Sequence, residues 1–149
     1  MNFPARPPVG SLIAYEYLWA SQFSDRADGA KTYPVAILLA RNDKGPVPLA
    51  YALALPHSVP RAGDRAVIVP QKLLRHLGLA TDPAWIYTDQ INIFGWPGPD
   101  LRPAGYRSVL PRARGTCVIG ALPADWFDGI KRHAIETYRL GLAKPLPRA

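Results

Sequence analysis

Proline decides what this chain can fold into. Seventeen prolines are scattered through its 149 residues, singly and in short clusters, together with twelve glycines. Proline has no backbone donor for a helix interior or a central strand. Punctuation of that density, with no repeat period, favours many short strands over long helices. The extreme case is FGWPGPDLRP at 94–103, where ten residues hold three prolines, two glycines and an aromatic pair. Such a stretch is a loop, and a loop with a Trp needs an anchor. Trp96 is expected to plug the core and pin the loop. Asp100 is expected to stabilise the turn, and Arg102 to pair with Asp100 or to meet a phosphate.

Between the prolines the apolar pattern gives the elements. The length suits one domain with its own core. We read residues 1–9 as an extended arm, 10–142 as the domain and 143–149 as a tail. Strands are expected at 10–20, 35–41, 47–55 and 65–70, with one or two more at 85–94 and another at 115–122. Residues 21–34 read as a long polar loop, and 42–45 as a turn. QKLLRHLGL at 71–79 reads as a short helix closed by Gly78. At 123–142, Trp126, Ile130, Ala134 and Tyr138 recur at helical spacing and make one apolar face. The expected fold is mainly β with α: a small barrel with a short inserted helix and a C-terminal helix.

Charge and motifs then narrow the chemistry. The formal net charge is +7, which fits a polyanionic partner, nucleic acid above all. A single cysteine, Cys117, excludes an internal disulfide and a Cys-based zinc site. It lies in an apolar run and reads as a buried structural thiol. There is no P-loop, no dinucleotide-binding glycine pattern and no nucleophile elbow, so no metal and no cofactor is expected. The N-terminus has no apolar signal core and no run reaches membrane-spanning length. A cytoplasmic protein without a membrane partner is the simplest expectation. Two polar clusters could carry a site: His57 and Ser58 after a strand, and Asp89, Gln90 and Asn92 interrupting one. His76 and His133 read as helix residues on or beside solvated faces.

WPGPDLRP, following a D-x-x-N segment, together with HS after the third strand, resembles the MazF/PemK-like toxins of type II toxin–antitoxin systems, in their longer PemK-like branch. The resemblance spans roughly residues 10–138. It implies an SH3-like barrel of the MazF/CcdB type, commonly a homodimer. It also implies a growth inhibitor that cleaves single-stranded RNA without a metal and is neutralised by a cognate antitoxin. The family's catalytic Arg and Thr are not matched: Tyr33 stands before Pro34 where Arg is expected, and Pro56 falls at the Thr position. Tyr supplies no permanent cation and Pro no hydroxyl. Two outcomes stay open. Cleavage is rearranged onto Lys31, His57 and Ser58, with Tyr33, Arg41, Asp89, Gln90, Asn92 and Arg102 binding RNA or a partner; or the barrel binds RNA or a protein without cleaving. A gyrase-poisoning activity, known for toxins sharing this barrel, is a third expectation and rests on fold analogy alone.

Overall fold

A computed structural model describes residues 1–22, 31–42 and 45–148. Most of the polar loop read at 21–34 (residues 23–30) and the centre of the turn read at 42–45 (residues 43–44) lie outside the described residues. The elements in chain order are β1 (Ser11–Tyr17), β2 (Lys31–Arg41), β3 (Leu49–Ala54), β4 (Ala66–Ile68), α1 (Gln71–His76), β5 (Trp85–Tyr87), β6 (Gln90–Gly95), β7 (Val118–Ala121), α2 (Ala124–Arg139) and β8 (Lys144–Pro147). Single 3-10 turns lie at Ala20–Gln22, Ala104–Tyr106 and Pro111–Ala113.

Six strands form one sheet in the order β7-β1-β2-β3-β6-β8, and β4 and β5 make a separate antiparallel ribbon. Every pairing in the large sheet is antiparallel except that of β8 with β6. Among the described residues the ladder does not return from β8 to β7, so the sheet is open. The protein is thus mixed α/β and mostly strand.

The sheet is buried on both faces, which is why β1, β2 and β3 read as near-continuous apolar runs. Side chains alternate across a strand. Leu12, Ala14, Ala36 and Leu53 face one core, which is shared with Leu73, Leu74 and Leu77 of the α1 region and with Phe127, Ile130 and Ala134 of α2. Ile13, Tyr15, Tyr17, Val35 and Ile37 face a second core with Phe94, Trp96 and Leu101. The buried side of α2 is Phe127, Ile130, Ala134 and Thr137. That is the expected helical spacing displaced to a neighbouring stripe: Tyr138 is 74% exposed and Trp126 is half-buried.

Two boundaries differ from the sequence reading. β2 begins at Lys31, because residues 31–34 pair with Tyr17, Glu16, Tyr15 and Ala14. The stretch read as a tail contains β8, whose Lys144 to Pro147 pair in register with Gln90 to Ile93. Pro145 and Pro147 leave little donor capacity on this edge strand, which discourages further strand addition.

The Pro/Gly loop covers the second core. Leu101 pairs with Tyr15 beyond the end of β7, and backbone bonds join Glu16 N to Asp100 O and Arg102 N to Ala14 O. Trp96 is 3% exposed, and its indole Nε1 donates to the Pro4 carbonyl at 2.8 Å. Trp96 therefore plugs the core as expected and also ties down the N-terminal arm. The Trp96–Pro97 peptide is cis.

Asp100 and Arg102 do not pair with each other as expected. Arg102 Nε donates to Glu16 Oε1 at 2.9 Å, and its NH1 caps the Pro99 and Leu101 carbonyls. Asp100 instead accepts from Arg148 NH2 at 2.7 Å. The Arg148 side chain is 1% exposed and lies over the Tyr15 ring. Its NH1 also donates to Glu16 O and Asn92 Oδ1. A buried guanidinium needs such a set, since an unpaired one would cost several kcal/mol, on the order of 3–5. Among the described residues no helix is long and apolar enough to cross a membrane.

Candidate functional site

The entry to β2, the segment after β3 and the residues before β6 converge on one side of the molecule. They line a groove of two lobes, about 330 Å³ and about 780 Å³. Tyr33 and Ser58 line both lobes and join them.

The smaller lobe holds Lys31, His57, Ser58 and Arg107. Lys31 and Tyr33 are two residues apart on β2 and so share a face; Lys31 Nζ sits 5.3 Å from the Tyr33 ring centroid. His57 is exposed, and its Nδ1 lies 3.1 Å and 3.0 Å from the Asp82 and Pro83 carbonyls. A carbonyl only accepts, so Nδ1 carries the hydrogen and the neutral ring presents its Nε2 lone pair outward. Ser58 is exposed, and its carbonyl accepts from Tyr87 Oη at 2.7 Å, which fixes the backbone behind the His. Arg107 Nε donates to the Thr32 carbonyl at 2.7 Å, and this clamps the guanidinium to the start of β2. No carboxylate lines this lobe among the described residues. Its field is therefore that of two cations over a dry floor of Leu55, Leu74 and Leu79.

The larger lobe is aromatic and mixed in charge. Trp19 meets Tyr33 and Tyr87 edge-on, with ring centroids 5.8 Å and 5.4 Å away. Arg61 and Lys144 line it on the cationic side, and Asp64 and Asp89 on the anionic side. Asp89 is 9% exposed; Oδ2 accepts from Arg65 N at 3.0 Å, while Oδ1 is buried with no hydrogen-bond partner among the described residues. Burial pushes its pKa above the usual carboxylate value, against the backbone donor of Arg65. Burial likewise raises the pKa of the Tyr87 phenol, so it stays a donor at neutral pH.

Of the residues singled out from sequence, the groove brings together Lys31, Tyr33, His57, Ser58, Asp89 and Gln90. Gln90 has a structural duty as well: its Oε1 accepts from Ala20 N at 2.7 Å and holds the chain after β1. Three others lie elsewhere. Asn92 is fully buried; its amide brackets the Leu18 backbone at 2.9 Å and 2.8 Å and accepts from Arg148, so it faces core and not ligand. Arg102 is engaged by Glu16 on the loop that covers the second core. Arg41 ends β2 ten residues from Lys31, about 33 Å away at the usual strand rise, and lines neither lobe.

Sequence reasoning missed Arg107, Tyr87 and Lys144 as groove residues. Arg107 lies in an arginine-rich stretch, 102–114, and nothing local marks one arginine in it as clamped to β2. His133 lies on α2 beside its solvated face, as expected. It is half-buried, with Nδ1 2.9 Å from Thr88 Oγ1, and burial and Arg65 lower its pKa. Cys117 is buried as expected, and burial raises its thiol to about 11, away from reactivity at neutral pH. No family model, no curated protein and no solved structure matches the chain.

Proposed function

We propose that the chain is a MazF/PemK-like, growth-inhibiting endoribonuclease of the cytoplasm, built on an SH3-like barrel and acting on single-stranded RNA in the two-lobed groove. The observation that carries this reading is the company of the smaller lobe. Two cations, Lys31 and Arg107, and a histidine of fixed tautomer line it without a carboxylate. Arg107 supplies the permanent cation that Tyr33 cannot.

The reaction these groups fit is attack of a ribose 2′-hydroxyl on its own phosphate. His57 Nε2 takes the 2′ proton as the 2′-oxygen bonds to phosphorus. Arg107 and Lys31 meet the charge that grows on the non-bridging oxygens. The bond to the 5′-oxygen breaks, Lys31 returns a proton to it, and the products are a 2′,3′-cyclic phosphate and a 5′-hydroxyl. The aromatic lobe takes the neighbouring base by stacking, a contact worth about 1–3 kcal/mol per base. A cognate antitoxin segment would compete for the same groove, and a second copy of the chain is the remaining partner on this reading.

The test is cleavage of mixed-sequence single-stranded RNA with chelator present at low salt, comparing wild type with His57→Ala, Lys31→Ala and Arg107→Ala. Loss of cleavage in all three folded variants, with cyclic phosphate ends from wild type, supports the reading. Salt-dependent binding without cleavage would make the protein a binding module. No binding at low salt would overturn the RNA assignment altogether.

A further inference from the structure

The cations of the smaller lobe do not stop at its rim. Arg107 lines the lobe, and the chain after it runs beside the C-terminal end of α1. Ser108 Oγ donates to Leu77 O at 2.7 Å, Val109 N to Gly78 O at 3.0 Å, and Arg112 NH2 to His76 O at 3.0 Å. On α1 itself Leu73 and Leu74 are buried, and Lys72, Arg75 and His76, three and four residues apart, share the exposed face. Leu74, Leu79 and Ala80 line the smaller lobe and not the aromatic one, so the α1 region adjoins the cationic end of the groove. The charge here is of one sign. Residues 71–80 and 102–122 hold Lys72, Arg75, Arg102, Arg107, Arg112 and Arg114 and no Asp or Glu. Of these six, only Arg102 has an ion-pair partner among the described residues. Arg107 and Arg112 are held by main-chain carbonyls, which fixes each guanidinium while its charge stays uncompensated and most of its five donors stay open.

We infer that this face carries the strand of RNA that leaves the smaller lobe, with Arg112, Arg75 and Lys72 meeting phosphates beyond the one attended by His57, Lys31 and Arg107. The inference rests on the RNA reading above and deepens it: the substrate is a strand that extends past the groove. Guanidiniums fixed in place without an acid suit phosphate oxygens, which they meet with charge-assisted hydrogen bonds. Arg107 and Arg112 are five residues apart, at most about 18 Å along the chain, so a short stretch of RNA joins them. Continuity with the lobe through Arg107 favours a nucleic-acid strand over an acidic protein as the occupant. Phosphate contacts carry no sequence information, so the face adds affinity common to all sequences and leaves base choice to the groove.

The experiment is binding of 2′-O-methyl RNA, which cannot be cleaved, over a range of salt. The probes are a trinucleotide, which spans the two lobes, and a mixed-sequence decanucleotide, which also reaches the α1 face. Each phosphate neutralised on a single strand adds about 0.7 to the slope of log affinity against log salt. The decanucleotide slope should therefore be steeper than the trinucleotide slope by about 2. Arg75→Gln and Arg112→Gln should each lower the decanucleotide slope by about 0.7 and leave trinucleotide binding unchanged. The exposed Arg75 side chain has no ion pair among the described residues, so its replacement tests the face without disturbing the fold. Arg139→Gln is the control. Arg139 lies at the far end of α2, about 22 Å from the first residue of that helix at the usual rise, and its loss should leave both slopes unchanged. Equal slopes for the two oligomers, or a decanucleotide slope that Arg139→Gln lowers as much as Arg75→Gln does, overturn this face and leave the RNA reading of the groove standing. No binding of either oligomer at low salt overturns both.

Discussion

Replacing Arg148 by methionine removes one half of a buried ion pair and leaves the other half in place. The Asp100 side chain is only 10% exposed and sits 2.7 Å from the guanidinium. Methionine fills most of the volume but offers Asp100 no donor, and it also deserts Glu16 O and Asn92 Oδ1. Removing one partner of such a pair costs about 3–5 kcal/mol, against a total stability of about 5–15 kcal/mol for a domain. In urea, with a slope of about 2 kcal/mol per molar, the midpoint should fall by about 2 M. Adding Asp100→Asn to the Arg148→Met background removes the stranded charge. The double variant should therefore regain about 1–3 kcal/mol over the single one. Equilibrium urea unfolding followed by tryptophan fluorescence reads all three proteins. A single variant that shifts the midpoint by less than about 0.5 M, or a second substitution that fails to recover stability, would refute the buried pair as an organiser of this core.

Other expectations follow from the same geometry. Trp96→Phe keeps the ring but loses the donor to Pro4 O; it should cost about 1 kcal/mol and expose the N-terminal arm to limited proteolysis. Gly78 has φ +68, and a Cβ there would lie 2.6 Å from Leu110 Cγ and 2.8 Å from Ser108 Oγ. Gly78→Ala should therefore destabilise by about 2 kcal/mol or more, read as a lower melting temperature. His133 has its pKa lowered by burial and by Arg65, so the native state binds a proton less readily than the unfolded chain. Stability is then complete above the unfolded value of about 6.5 and is lost as pH falls below it. Asp89, with a raised pKa, acts oppositely: the native state holds its proton longer, and stability declines as pH rises from about 3.9 towards the raised value. Denaturation midpoints taken across pH should lose the first slope in His133→Gln and the second in Asp89→Asn.

How far the sequence carried the fold depended on whether the cause was local. Alternation and proline spacing place β1, β3, β7 and both helices close to where they are, because burial and backbone donors act within each segment. β2 was cut short because Lys31 and Thr32 look like loop residues, and only pairing with Tyr17 and Glu16 makes them strand. β8 was missed for the same reason: a KPLP segment has almost no strand signal of its own and is held by β6. In the site, His57 and Ser58 were legible as chemistry after a strand end, whereas Lys31 came only from the family resemblance, two residues before Tyr33. Arg107 was not legible, because its value comes from the Thr32 carbonyl, which lies 75 residues earlier in the chain. Asn92 and Arg102 misled for the opposite reason. Polar side chains in a strand or a Pro/Gly loop look available until their partners, Leu18 and Glu16, are known.

The place of Arg148 has a consequence for how the protein is made. Asp100, Asn92 and Glu16 emerge from the ribosome well before the cation that joins them, which is 48 residues downstream of Asp100. Until residue 148 has cleared the exit tunnel, the carboxylate lacks this cation, and closing the loop over Tyr15 and Phe94 is less favourable by about 3–5 kcal/mol. Lys144, a wall of the groove, is delivered in the same late step. A nascent chain that has emerged only as far as α2 therefore has its sheet one strand short and its groove without one wall.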